Sequence, residues 1–310
     1  MKRALFAASL LLAAAAAFGS EELDIYTYLY RDASTAAERL GVLRSVSEAK
    51  LGGAGQLYAE ALSQLLLEQP TLRTTAEREA ADASARLLSG LLGDAKYAAA
   101  AGDLWRVIEI FNNPLVKADA LIALGRIRAV DYLPQVVRTL SDLNLTPTSD
   151  PEAGERIAYG AILALEKYRE PSGYLPVFFA ATGWYNRRIK DQASSALPYI
   201  IDDPSEPLST VIRSSTYSYE AKHLALQTAE SSKASNAAKA GVAVLALGEG
   251  WRAATRDVRQ QMVLSNSRKL AIDMVRRYRS PDPAVIPLLE RSYKEGIDME
   301  EKLGSVAALA

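Results

Sequence analysis

Residues 114–140 read PLVKADALIALGRIRAVDYLPQVVRTL, and residues 154–181 read GERIAYGAILALEKYREPSGYLPVFFAA. In each, an Ala/Leu-rich amphipathic stretch is followed by a short polar break and a Pro-bearing apolar stretch. The interval from Ala120 to Ala161, which match between ALIALG and AILALE, is nearly the same as that from Tyr132 to Tyr174 of the two YLP turns. A repeat of roughly 40 residues made of two helices predicts an all-α fold of the α-solenoid type. No single helix pair can bury both of its faces, so each needs its neighbours. Ala and Gly on one helix face let backbones approach, while Leu, Ile and Val fill the seams. Leu124→Pro, inside a helix predicted to be buried, is expected to abolish cooperative melting.

Working outward, Asn113-Pro114 has the form of an N-cap followed by Pro at the first helical position, where its missing N–H costs nothing. Asp150-Pro151, Asp203-Pro204 and Asp282-Pro283 repeat the device. A third unit is expected through Gln192–Ile201 and Leu208–Arg213, and a less regular fourth through Ala221–Ala229 and Ala234–Leu247. A fifth spans residues 270–293, and EKLGSVAALA repeats the start of the ALIALG helix. Upstream, Ala36–Val46, Gln56–Glu68 and Thr75–Leu92 carry apolar residues at three- and four-residue spacing. Gly52-Gly53-Ala54-Gly55 makes a turn between the first two. The Tyr-rich stretch from Glu21 to Arg31 fits either a first helix or an extended lead-in. Gly/Ser-rich linkers are absent, and TPTSDPE over Thr146–Glu152 is the best candidate for a protruding connection.

The first twenty residues are of another kind. Lys2 and Arg3 precede an apolar run from Ala4 to Phe18, and Ala17-Phe18-Gly19 supplies small residues where a signal peptidase reads. This is the layout of a secretory signal peptide, with cleavage expected after Gly19. Residues 1–19 are therefore expected to be removed and the protein exported, to a periplasm first and secreted as a second choice. No membrane insertion is expected after cleavage. The chain carries a formal charge of −1, and loss of Lys2 and Arg3 leaves 34 basic against 37 acidic residues. No strong field draws nucleic acid or anionic lipid, so neither is expected as a partner. The absence of cysteine excludes disulfides, zinc–thiolate sites, thiol nucleophiles and a lipid anchor at cysteine.

These segments resemble the HEAT-repeat family, in particular the short bacterial HEAT-like repeats of phycobilisome-lyase type. The shared pattern is roughly P-x-V/I-x-x-x-A-x-x-A-L-G, a short link, then L-P-x-V/L-x-x-x-L. Residues 114–140 fit it closely, and AVIPLLERSY shares its second half. The match is good over 113–182 and 268–310 and loose elsewhere. The resemblance implies a right-handed superhelix of helix pairs that binds proteins. On it, residues 20–112 form an N-terminal helical part of the solenoid, continuous with HEAT-like repeats over 113–310. The 34-residue period and Trp-Leu-Gly signature of tetratricopeptide repeats do not appear.

A search for chemistry finds no catalytic constellation, no metal-ligand spacing and no cofactor motif. His223, the one histidine, lies in an apolar helix with no nucleophile or orienting acid fixed by spacing. Ser47-Glu48-Ala49-Lys50 fits S-x-x-K, but K-T-G is missing. Asp202-Asp203 reads as helix capping, and Asp298 with Glu300 and Glu301 as carboxylates favoured by a helix N-terminus. Two basic-aromatic clusters remain as binding candidates: Trp184, Tyr185, Arg187 and Arg188 after the second repeat, and Arg276 with Arg277 at a helix end in the fifth. Trp, Tyr and Arg are the residues most enriched at binding hot spots. Tyrosines outnumber phenylalanines fifteen to five, as on a surface that keeps one polar end of each ring wet. The function expected is a non-enzymatic exported scaffold that binds an envelope protein or extended peptide. A structural subunit of an envelope complex and a lyase-like or glycan-processing enzyme or accessory are the alternatives.

Overall fold

The computed structural model describes residues 21–147 and 149–310. The expected signal peptide lies outside the described residues, as does Thr148 of the TPTSDPE loop. Among the described residues the chain is all-α, with 16 helices and no strand. None of these helices is long and apolar enough to cross a membrane. Residues 21–32 are helical (α1), which decides between the two forms open for the Tyr-rich stretch. The described residues divide into two compact units: those up to Tyr168, α1 included, together with Trp184–Gln192, and Arg169–Gly183 together with Ala193–Ala310.

The first unit contains α2 (Ala36–Ala49), α3 (Gly55–Glu68), α4 (Thr75–Asp94), α5 (Ala101–Ile110), α6 (Pro114–Ile127), α7 (Leu133–Leu145) and α8 (Pro151–Tyr168). Helices pack on their neighbours in sequence and on the helix two further on: α2 on α4, α4 on α6, α6 on α8, and α3 on α5. This is solenoid-like stacking, and it runs without a break across residue 112. Small residues set the spacing. A Cβ on Gly125 would lie 2.5 Å from the Ala164 Cα, one on Gly160 2.7 Å from the Ala118 Cα, and one on Gly93 3.0 Å from the Ala123 Cα. Ala123 and Ala164 stand one repeat apart, and both are fully buried. Each receives a glycine of the preceding helix in the row, which is the physical content of the repeat. Gly93 extends the same device one helix before the clear sequence repeats. Leu124 is fully buried inside α6, as the expected effect of proline there requires.

Several of these helices end in a way the sequence does not announce. Lys50, Lys96 and Arg128 adopt left-handed backbone with φ near 50°, as do Arg169 and Arg279 in the second unit. At Lys96 and Arg128 the next residue closes the turn: Tyr97 N–H donates to the Leu92 carbonyl and Ala129 N–H to that of Leu124. This is the Schellman geometry usually given to glycine, here carried by a cation at the negative end of the helix. Arg128 Nε also donates to the Lys167 carbonyl at 3.0 Å, and the Tyr168 hydroxyl donates to the Ala129 carbonyl at 3.0 Å. The ends of α6 and α8 are thus tied together in both directions.

Helix α10 (Arg187–Ile200) begins five residues before the expected Gln192. The Asn186 carboxamide oxygen accepts from Ile189 N–H and draws the start upstream, into a stretch whose charges mask the helical period. Asn113 accepts from Leu115 N–H and Asp150 from Ala153 N–H, so these Asx-Pro pairs cap as expected. The other two pairs differ. Pro204 stands before the first turn of the helix Ser205–Arg213, and Pro283 lies in a turn ahead of the helix Val285–Glu295, with Asp203 accepting from Ser205 N–H and Asp282 from Ala284 N–H. There the aspartate makes its own two-residue turn and the helix starts later.

The second unit contains α9 (Tyr174–Thr182), the end of α10, α11 (Ser205–Arg213), α12 (Tyr219–Ser231), α13 (Asn236–Arg252), α14 (Val258–Tyr278), α15 (Val285–Glu295) and α16 (Met299–Leu309). Here α9, α11, α13 and α15 form one row and α12, α14 and α16 the other. At its far end the rows are joined by a polar plug. Arg268 and Glu301 are 6% and 0% exposed and pair through Nε and Oε1 at 2.6 Å and Nη2 and Oε2 at 3.1 Å. Ser265 Oγ donates to the same carboxylate. The Arg268 guanidinium carbon lies 4.2 Å from the centre of the Trp251 ring, and that of Arg291 4.8 Å from it. Trp251 Nε1–H donates to Ser292 Oγ at 2.9 Å. Glu301, expected as a helix-start carboxylate, stands in the first turn of α16 and is the most buried acid of this unit; its neighbours Asp298 and Glu300 bind Lys269.

Candidate functional site

The candidate residues around Trp184 divide into two groups. Trp184 Nε1–H donates to the Leu143 carbonyl at 2.9 Å, one of the groups left open at the end of α7. Its ring stacks on that of Tyr185, centroids 4.2 Å apart. Tyr185 is only 2% exposed, its hydroxyl has no partner, and burial pushes that hydroxyl well above the ordinary tyrosine range. Both rings therefore help to anchor the segment to the first unit; Tyr185 is buried, and Trp184 is half-buried. The sequence shows that large rings are present, not which way they face, and the burial of Tyr185 could not be read from it.

The arginines behave differently. Arg187 is almost fully exposed and pairs weakly with Asp191 at 3.5 Å. Arg188 lies over the Tyr159 ring, its guanidinium carbon 5.2 Å from the centroid. It borders a groove of about 500 Å³ formed by the first halves of α6 and α8 and the start of α10. Leu115, Ile122 and Ile189 give the floor an apolar character. The acids on its wall are occupied: Asp119 with Arg86 at 2.7 Å, Glu152 with Arg156, and Glu155 with both N–H groups of Asn186. Arg188 makes no ion pair among the described residues. It presents a planar set of donors, oriented by an aromatic face, over an apolar floor. That arrangement suits a carboxylate carried by something with apolar bulk.

Arg276 and Arg277 are exposed and pair with acids of the second unit. Arg276 pairs with Asp273 at 2.9 Å, and Arg277 with Asp273 and with Glu230 of α12 at 2.6 Å. Arg277 thereby links α12 to α14 along their row, and both arginines complement the end of α14.

No protein-family model, curated protein or solved structure matches the chain. The nearest arrangement to a nucleophile and base is His223 Nδ1 at 3.0 Å from Ser267 Oγ, on α12 and α14. The Ser267 hydroxyl proton is directed to the Val263 carbonyl at 2.9 Å. The imidazole N–H is then the donor of the pair, opposite to what activation of a serine needs. Burial holds the His223 pKa below its ordinary value, so the ring is neutral at pH 7. The pair serves as a tie between two helices. Lys50 of the S-x-x-K stretch forms the left-handed end of α2, with its N–H on the Ser47 carbonyl.

Proposed function

We propose that the protein is a non-enzymatic, exported binding scaffold of HEAT-like helix pairs that holds an envelope or periplasmic protein, or an extended segment of one, on its helical surface. The observation that carries this reading is Arg188: a guanidinium seated on Tyr159, free of internal acids, beside an apolar groove. A partner carboxylate next to an apolar side chain would satisfy both at once. The signal-like layout of residues 1–19 supports export, and the repeat pattern supports a surface for proteins. The test is in-cell cross-linking of the tagged full chain, followed by mass spectrometry of the envelope fraction. A partner recovered in fixed ratio, and lost on Arg188→Ala with melting unchanged, is expected. Equal recovery with Arg188→Ala removes the groove from the interface. Trp184→Ala is the structural control: it should lower the melting temperature, because it strips the Leu143 carbonyl of its donor.

A further inference from the structure

The second unit holds a separate cavity of about 390 Å³ between α9, the end of α10 and the end of α12. Tyr174, Phe178, Leu197 and Leu224 make its wall apolar. Hydroxyls that could have made it polar are turned to the backbone: Thr228 donates to the Leu224 carbonyl and Ser232 to that of Ala229. Its rim is charged with both signs. Lys233 and Asp202 are exposed there, and neither has an ion pair or hydrogen bond among the described residues. Pro198 lies inside α10 and lines the cavity together with Ser194. Proline has no N–H to return to the carbonyl four residues before it, so the Ser194 carbonyl lacks its usual helical donor.

We infer that this cavity is a second recognition site, which takes one apolar side chain of an extended peptide segment. An acidic neighbour in that segment would meet Lys233, a basic one Asp202, and a peptide N–H the Ser194 carbonyl. This rests on the scaffold reading and specifies the partner's chemistry at a different place. A peptide matches the site because it brings together an apolar anchor, charges of both signs and a backbone donor. The volume admits one large side chain and its flanking backbone.

The test is selection from a random dodecapeptide display library on the full chain, then anisotropy titration of the enriched peptides. The expected peptides carry a central apolar residue with an acid on one side and a base on the other. Ser194→Trp, at an exposed position, should cover the cavity and weaken them by roughly ten- to a hundredfold with melting unchanged. Lys233→Glu should weaken them about two- to fivefold, as loss of an exposed ion pair does. Binding untouched by Ser194→Trp but lost on Arg188→Ala overturns the cavity site and leaves the scaffold intact. Failure to enrich any peptide, or binding of decanoate alone in a way that Ser194→Trp blocks, overturns the peptide as occupant. The cross-linking experiment decides the scaffold independently of either result.

Discussion

In the first unit Gly93, Gly125 and Gly160 set helix backbones directly against Ala123, Ala164 and Ala118; in the second, Gly250 instead makes room for a side chain, its added Cβ falling 3.0 Å from Arg268 Cγ. One region sets its helix contacts by the absence of side chains, the other by a buried arginine and its acid. The first device is short-range and nondirectional, and it recurs with the sequence repeat, from Ala123 to Ala164. The second is directional and occurs at one place. Close approach of backbones maximises contact at little side-chain entropic expense, since alanine and glycine have no rotamers to lose. A buried ion pair contributes little net stability, yet it fixes which helix meets which, because any other register strands a charge.

The sharpest way to test that difference is Glu301→Ala. Arg268 would be left buried without its acid, and the second unit should lose about 3–5 kcal/mol in urea unfolding. The double change Arg268→Met with Glu301→Leu should recover most of that loss. A single mutant with near-native stability would show that the plug is not closed. Next comes Gly125→Ala. Its methyl would press on the Ala164 backbone, so a loss of about 1–3 kcal/mol is expected from a change that normally favours helices. A stabilised Gly125→Ala protein would mean that α6 and α8 are not in backbone contact.

Smaller effects distinguish the helix ends. Lys96→Gly should stabilise by about 0.5–1 kcal/mol, because it relieves left-handed strain. Arg128→Gly should gain less, since it also gives up the bond from Nε to the Lys167 carbonyl. Equal gains would show that this bond contributes nothing. Smallest is a pH effect belonging to the first unit. Glu38 and Glu77 close capping boxes on α2 and α4, and backbone N–H groups at Thr35 and Thr74 hold their carboxyls below the ordinary 4.5. Their contribution is present above 4.5 and fades as pH falls through the lower folded value. Carboxyl-carbon NMR titration should place both midpoints below 4.5; midpoints at the ordinary value would mean that the boxes are open in solution.

The contrast also explains what is legible in the sequence. Helices and their order can be read from apolar spacing. The repeat can be read because small residues at fixed intervals have no substitute where backbones touch. The Arg268–Glu301 pair cannot, since charges on two separate amphipathic helices look the same buried or exposed. The burial of Tyr185 is hidden for a related reason, because composition names a ring without its direction. Arg188 is legible as a candidate, but its seat on Tyr159 depends on α10 starting at Arg187. The left-handed ends have one available signal: Gly93 and Gly125 each stand three positions before the cation that closes the helix.

Those five left-handed residues have a consequence for how the chain meets a protease. All are lysine or arginine, all are exposed, and none is followed by proline. Each is therefore a potential cleavage point for a trypsin-like protease, placed where one helix stops and the next begins. A limited digest would nick the chain at these borders and leave the intervening helices whole, so the order in which the bands appear would rank the borders by how readily each one opens.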